Sequence, residues 1–127
     1  MPKQVPVEVL ESFDAKMEEI KEFMLRQDVY SAARRGTALE EEAYDLFVRL
    51  SSFPHLGHEY NPRILPRDVD AQQDLEWARK VKENLGSDEL LEISLQDYNI
   101  LYLYSETGLL ILSIRHQRSN SYKPADL

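Results

Sequence analysis

Tyr98-Asn-Ile-Leu-Tyr-Leu-Tyr104-Ser-Glu-Thr-Gly108-Leu-Leu-Ile-Leu-Ser-Ile114-Arg115-His116-Gln117-Arg118 decides the fold. Tyr98, Ile100, Tyr102 and Tyr104 recur at every second residue, which is the side-chain period of a strand with one buried face. Leu110, Leu112 and Ile114 repeat the pattern and predict a second strand whose shared face they form. Glu106-Thr107-Gly108 between the two is a hairpin turn. Upstream, Leu91, Ile93 and Leu95 alternate in a third strand, with Asp97 in the turn that follows it.

The period changes from two to about 3.6 further toward the N-terminus. Val5, Val7 and Val9 alternate as a short first strand. Ser12 then offers an N-cap, and Phe13, Met17, Ile20 and Met24 form one helical stripe through about Gln27. A second helix is predicted from near Ser31 to about Ser52, with Leu39, Ala43, Leu46, Leu50 and Phe53 on its apolar stripe. The link Asp28-Val29-Tyr30 is short enough to make the pair an αα-hairpin. Pro54 stops the second helix, and Phe53-Pro-His-Leu-Gly57-His58 reads as a turn. A third helix is capped by Asp68 or Asp70, carries Leu75, Ala78, Val81 and Leu85 on one face, and stops at Gly86. The order β-α-α-(α)-β-β-β predicts an α+β domain with a helical layer on one face of a mainly antiparallel sheet.

Composition narrows the function. The 127 residues are 43% hydrophobic and 30% charged, the balance of a folded chain with a core of its own. There is no cysteine, so disulfides, thiolate metal sites and cysteine nucleophiles are excluded. The N-terminal residues lack the continuous apolar run of a signal peptide, and no run reaches the length of a membrane span, so the expected location is the cytoplasm with no membrane partner. A net charge of −8 repels phosphate backbones and counts against nucleic acid as the main partner. His55 and His58 have an H-x-x-H spacing, but in a Pro/Gly turn it builds no helical ligand face, and they read as surface histidines. Glu40-Glu41-Glu42 reads as a solvated helix face.

The chemistry gathers at the end of the last strand. Arg115, His116, Arg118 and Tyr122 place permanent cations, a group that titrates near neutral pH and a phenol on the end of a rigid apolar rail. Such an end either carries catalysis or grips a partner. The bland alternative is a solvated strand end paired with surface carboxylates.

Three blocks of this sequence resemble the RelE/ParE superfamily of toxins from type II toxin–antitoxin pairs, also known as plasmid-stabilisation proteins. Val7-Glu8-Val9 with the helix Ala15 to Phe23 and then Tyr30-Ser-Ala-Ala-Arg34-Arg35 is similar to the ParE opening. Leu50-Ser-Ser-Phe53-Pro54-His55-Leu56-Gly57 is similar to the family's L-x-x-F-P-x-L-G turn. Asp97 to Tyr102, with the later Arg115-His116-Gln117-Arg118, is similar to its Y-R-I-x-Y strand and terminal R-H-x-R signature. The resemblance covers nearly the whole chain as a single domain, 1–127, with an inserted helical segment at about 63–87.

That likeness implies a growth-inhibiting toxin, neutralised by a cognate antitoxin that wraps its helices and sheet, with no cofactor and no metal. ParE-like members bind DNA gyrase without an established catalytic centre; RelE-like members cut mRNA on the ribosome. In the RelE-like alternative Arg118 and Tyr122 fall where an arginine and the terminal catalytic tyrosine are kept, and His116 where a basic or acid–base group stands, with Arg115 beside them. Asn99 replaces the arginine of the strand motif, and Glu89 to Gln96 is acidic where RelE-like members are basic. The ParE-like reading is therefore the leading expectation. A non-toxic binding protein on the same fold is the third.

Overall fold

Hydrocarbon stripes on the helices and alternating strands lock together as a sheet with helices on both faces. The computed structural model describes residues 4–118 and 121–125; the first three residues, Ser119, Asn120, Asp126 and Leu127 lie outside the described residues. The elements are β1 (Val7–Val9), α1 (Glu11–Gln27), α2 (Val29–Ser52), β2 (His58–Glu59), α3 (Val69–Asn84), β3 (Glu89–Leu95), β4 (Tyr98–Ser105) and β5 (Gly108–His116). The five strands lie in the order β1-β5-β4-β3-β2, with β1 parallel to β5 and the other pairs antiparallel. Among the described residues no helix is long and apolar enough to cross a membrane.

The helical hairpin covers one face. α1 contributes Phe13, Met17 and Met24, and α2 contributes Leu39, Ala43, Leu46, Phe47 and Leu50, against Leu91, Ile100, Tyr102, Leu109, Ile111 and Ile114 of the sheet. Phe13 meets Phe47 edge to face at 5.4 Å, a favoured aromatic arrangement. Each large side chain fully buried here stabilises the fold by roughly 1.5–3 kcal/mol.

The sequence leads to a link of three residues between the helices, but it shrinks to Asp28 alone. The Asp28 carboxylate accepts from the Tyr30 N–H at 3.1 Å and the Ser31 hydroxyl at 2.9 Å, so α2 is capped and starts two residues earlier than expected. The Ser31 hydroxyl, then the Tyr30 N–H, hold the Asp28 carboxyl below its usual range.

Ser12 is not an N-cap. Leu10 occupies that position without a side-chain cap, and the Ser12 hydroxyl donates instead to the Leu112 carbonyl at 2.5 Å. The reason lies in β5. Leu101 pairs with Ser113 but Tyr102 pairs with Ile111, so Leu112 is the extra residue of a β-bulge. Ser12 therefore satisfies a carbonyl at a break in the ladder. The bulge also corrects the expected face of Leu110, Leu112 and Ile114: the first two point to one side, while Ile114 joins the hairpin core on the other.

The turn after α2 contains a strand that sequence reading missed. His58 and Glu59 form β2 at the sheet edge, paired with Glu92 and Leu91. Gly57 precedes it where the chain passes close to β3: a Cβ here would sit 2.6 Å from the Glu92 carbonyl oxygen and 2.7 Å from the Tyr102 hydroxyl. That hydroxyl accepts from the Gly57 N–H at 3.0 Å and donates to the Pro54 carbonyl at 2.9 Å.

The place of the third helix, which the sequence leaves open, is on the other side of the sheet from the hairpin. α3, capped by Asp68 through the Ala71 N–H at 3.0 Å, lies over the opposite face. Ala78, with Leu75, Trp77 and Val81 around it, packs on Leu90, Leu101, Leu103 and Leu112. Tyr60 and Tyr122 complete this second core.

Candidate functional site

Strand alternation beyond the β5 bulge sorts the candidate residues into two environments. Beyond it, Arg115 pairs in register with Asn99 and His116 with Tyr98, so neighbouring side chains point to opposite faces. His116 faces the hairpin side. The guanidinium of Arg115 turns to the α3 side and meets Glu92.

On the hairpin side, His116 and Arg118 line a cleft of about 570 Å³ between α1 and the end of the sheet. Lys16, Ile20, Phe23, Met24 and Gln27 follow one another along α1 at helical spacing and form one wall. Arg35 of α2, Asp97 of the β3–β4 turn and Tyr98 close the other end. Lys16, Arg35, Arg115 and Arg118 outnumber Glu19 and Asp97 around this cleft, in a chain whose net charge is −8. Lys16 is only 8% exposed, with Glu19 at 3.8 Å. Phe23 is 57% exposed and gives the cleft an apolar lip.

The rings of Tyr98 and His116 meet edge to face at 5.3 Å. Burial, with a smaller contribution from Asp97 against an opposing one from Arg35, raises the Tyr98 phenol above its ordinary value. The Arg118 N–H donates to His116 Nδ1 at 3.1 Å. An accepting Nδ1 assigns the proton of the neutral ring to Nε2. In that tautomer Nε2 offers a hydrogen bond and has no lone pair with which to take a proton.

On the α3 side, Tyr122 is fully buried and its hydroxyl donates to Glu92 Oε2. Arg115 Nη2 lies 3.4 Å from the same oxygen, and the guanidinium stacks 4.5 Å from the Tyr122 ring centroid. His58 lies 3.4 Å from the other oxygen of Glu92. Tyr60 meets Tyr122 edge to face at 5.6 Å. Burial, then the charge of Glu92 and its hydrogen bond, push the Tyr122 phenol far above its ordinary value. Burial, then the charge of Asp74, push Tyr60 up to about 12. Both phenols are neutral donors at physiological pH.

The four residues that the sequence reading groups together are thus divided: His116 and Arg118 line the cleft, Tyr122 lies on the other face of the sheet, and Arg115 borders the cleft while its guanidinium reaches Tyr122 and Glu92. That reading missed Lys16 and Asp74 as special residues. Both carry a legible signal, a charged side chain on an otherwise apolar helical stripe: Lys16 beside Met17, and Asp74 four residues before Ala78. His55 bonds to Glu89 at 2.7 Å, which makes each H-x-x-H histidine a carboxylate partner. The described residues contain no cluster of three or more metal-ligating side chains.

Fold and site together define an α+β protein with a cationic, partly apolar cleft at one end of its sheet. No protein-family model matches the chain, and no curated protein matches its sequence.

Proposed function

We propose that this chain is the toxin of a type II toxin–antitoxin pair on the RelE/ParE fold, and that it inhibits growth by binding a target such as DNA gyrase. A cognate antitoxin neutralises it. The family assignment rests on the three sequence blocks, which fall on a β-α-α opening, the turn after α2 and the β4–β5 hairpin. The preference for binding over cutting rests on one observation, the complete burial of Tyr122 with its hydroxyl held by Glu92.

RNA cleavage of the RelE type needs a base for the ribose 2′-hydroxyl, an acid for the leaving oxygen and cations for the phosphorane charge. Tyr122 reaches no external phosphate from its buried position, and Glu92 beside it would repel one. A binding surface needs less: anchoring apolar groups, donors and complementary charge. Phe23, Tyr98, the His116 Nε2–H, Arg35 and Arg118 supply them for an anionic segment of a partner.

Induced expression without antitoxin is expected to stop growth, and purified protein is expected to inhibit DNA gyrase supercoiling at micromolar concentration. Arg118→Ala with Arg35→Ala should weaken that inhibition. Ribosome-dependent mRNA cuts mapped by primer extension, lost in His116→Ala and Tyr122→Phe, would replace this reading with the endonuclease. Normal growth under full induction would leave a non-toxic binding protein.

A further inference from the structure

α3 is attached to the sheet in a different way from α1 and α2. Of its 16 residues only Asp74 and Ala78 are buried, against seven in α2. Clefts of about 680 and 360 Å³ flank it, one toward Ile64 and Pro66 and the other toward Tyr60 and Leu90. Its apolar contact runs through Leu75, Trp77, Ala78 and Val81, of which Ala78 alone is buried.

The strongest tie runs to the C-terminal tail. Asp74 is 2% exposed, and its Oδ1 accepts from the Tyr122 N–H at 2.7 Å, the Lys123 N–H at 2.7 Å and the Ser121 hydroxyl at 3.1 Å. From the sheet side, the Ser113 hydroxyl donates to the Tyr122 carbonyl at 2.5 Å, and Glu92 holds the phenol. The tail is therefore wedged between α3 and the sheet, bonded to both.

The two parts cannot leave separately. If the tail left and α3 stayed, Asp74 would lose the three donors of the tail and keep Tyr60 alone. If α3 left and the tail stayed, the Tyr122 and Lys123 N–H groups would lose their acceptor and Tyr122 its cover. We infer that α3 and residues 121–123 form one cover that opens as a unit while the hairpin and the sheet stay folded. Opening bares Leu90, Leu101, Leu103 and Leu112, bordered by Arg115 and Glu92. The closed state withholds this second face from partners, and the inference holds whatever target the hairpin-side cleft takes.

Native-state hydrogen exchange of the full chain, followed residue by residue at rising sub-denaturing urea, tests the cover. Amides of α3 and those of Tyr122 and Lys123 should share one opening, shallow in urea, while Ile100 to Leu103 exchange only through global unfolding. Asp74→Ala, made in the helix, and Tyr122→Ala, made in the tail, should each speed exchange in both parts by roughly tenfold or more, with α3 and the tail still opening at a shallower urea dependence than β4. A tail variant that leaves α3 protection untouched overturns the inference. Exchange of α3 through global unfolding alone does so as well. Where a variant does not fold, the wild-type profile decides by itself, because it either shows the shared opening or lacks it.

Discussion

The two faces of the sheet are held by different physics. On the hairpin face, Ile100, Ile111 and Ile114 meet Phe13, Met17, Leu46 and Leu50, hydrocarbon against hydrocarbon, and no single contact is indispensable. On the α3 face a thinner apolar line is fastened by two carboxylates, Asp74 and Glu92, each with several donors. Hydrophobic burial is non-directional and degrades in proportion to what is removed. A hydrogen-bonded carboxylate is directional, and losing one side leaves the other exposed to the full penalty of an unmet group. One face thus carries the stability of the whole chain, and the other carries a conditional attachment.

The comparison breaks most visibly at Leu50. Leu50→Ala removes a fully buried side chain from the hairpin face and should cost about 2–5 kcal/mol, read as a lower urea midpoint with an unchanged slope. If the loss stayed local, the claim that this face is the cooperative one would fail. Asp74→Ala should cost about 1–3 kcal/mol, read first as a larger population of opened α3 and tail. A change in the global midpoint as large as that of Leu50→Ala would make the two faces equivalent.

Alkaline stability sharpens the same contrast. Phenols in the unfolded chain release their protons near pH 10.0, whereas Tyr60 holds its proton to about 12 and Tyr122 beyond that. Above pH 10.0 the unfolded state binds fewer protons than the folded one, so this contribution is complete below pH 10.0 and is lost as pH rises toward about 12. Urea midpoints across that window should fall less steeply in Tyr60→Phe, and an unaltered slope would assign the loss to other groups. Tyr122→Phe removes the hydroxyl's bonds to Glu92 and Arg115, which keep each other, and should cost about 1.5 kcal/mol near neutral pH. Arg118→Ala, on an exposed residue of the cleft, should change stability by less than about 0.5 kcal/mol; a larger loss would make the cleft cations structural.

Much of this architecture is legible in the residues themselves. The strand alternation in Leu91 to Leu95 and Tyr98 to Tyr104 and the helical stripes of α1, α2 and α3 follow from apolar spacing, and Asp68 behaves as the cap it resembles. β2 is hidden because two residues have no period to read. Ser12 misleads because a hydroxyl before an apolar stripe fits a cap and a tertiary donor equally well. The placement of the site escapes for a related reason. Arg115, His116, Arg118 and Tyr122 are close in sequence, but an unbroken alternation through Leu110, Leu112 and Ile114 gives no sign of the extra residue that decides which face Arg115 and His116 take relative to Leu110 and Leu112. The partner of Tyr122 is hidden too, since nothing near it in sequence names Glu92 or Asp74.

That extra residue has a consequence for how such a protein diverges. Leu112 and Ser113 face the same side opposite the single residue Leu101, so with Leu112 removed Ile111 would be followed by Ser113 in ordinary alternation. Arg115 would stay opposite Asn99 and His116 opposite Tyr98, each on its present face. A change of one residue in chain length at this point can therefore be absorbed where it occurs, and the two environments at the strand end survive it.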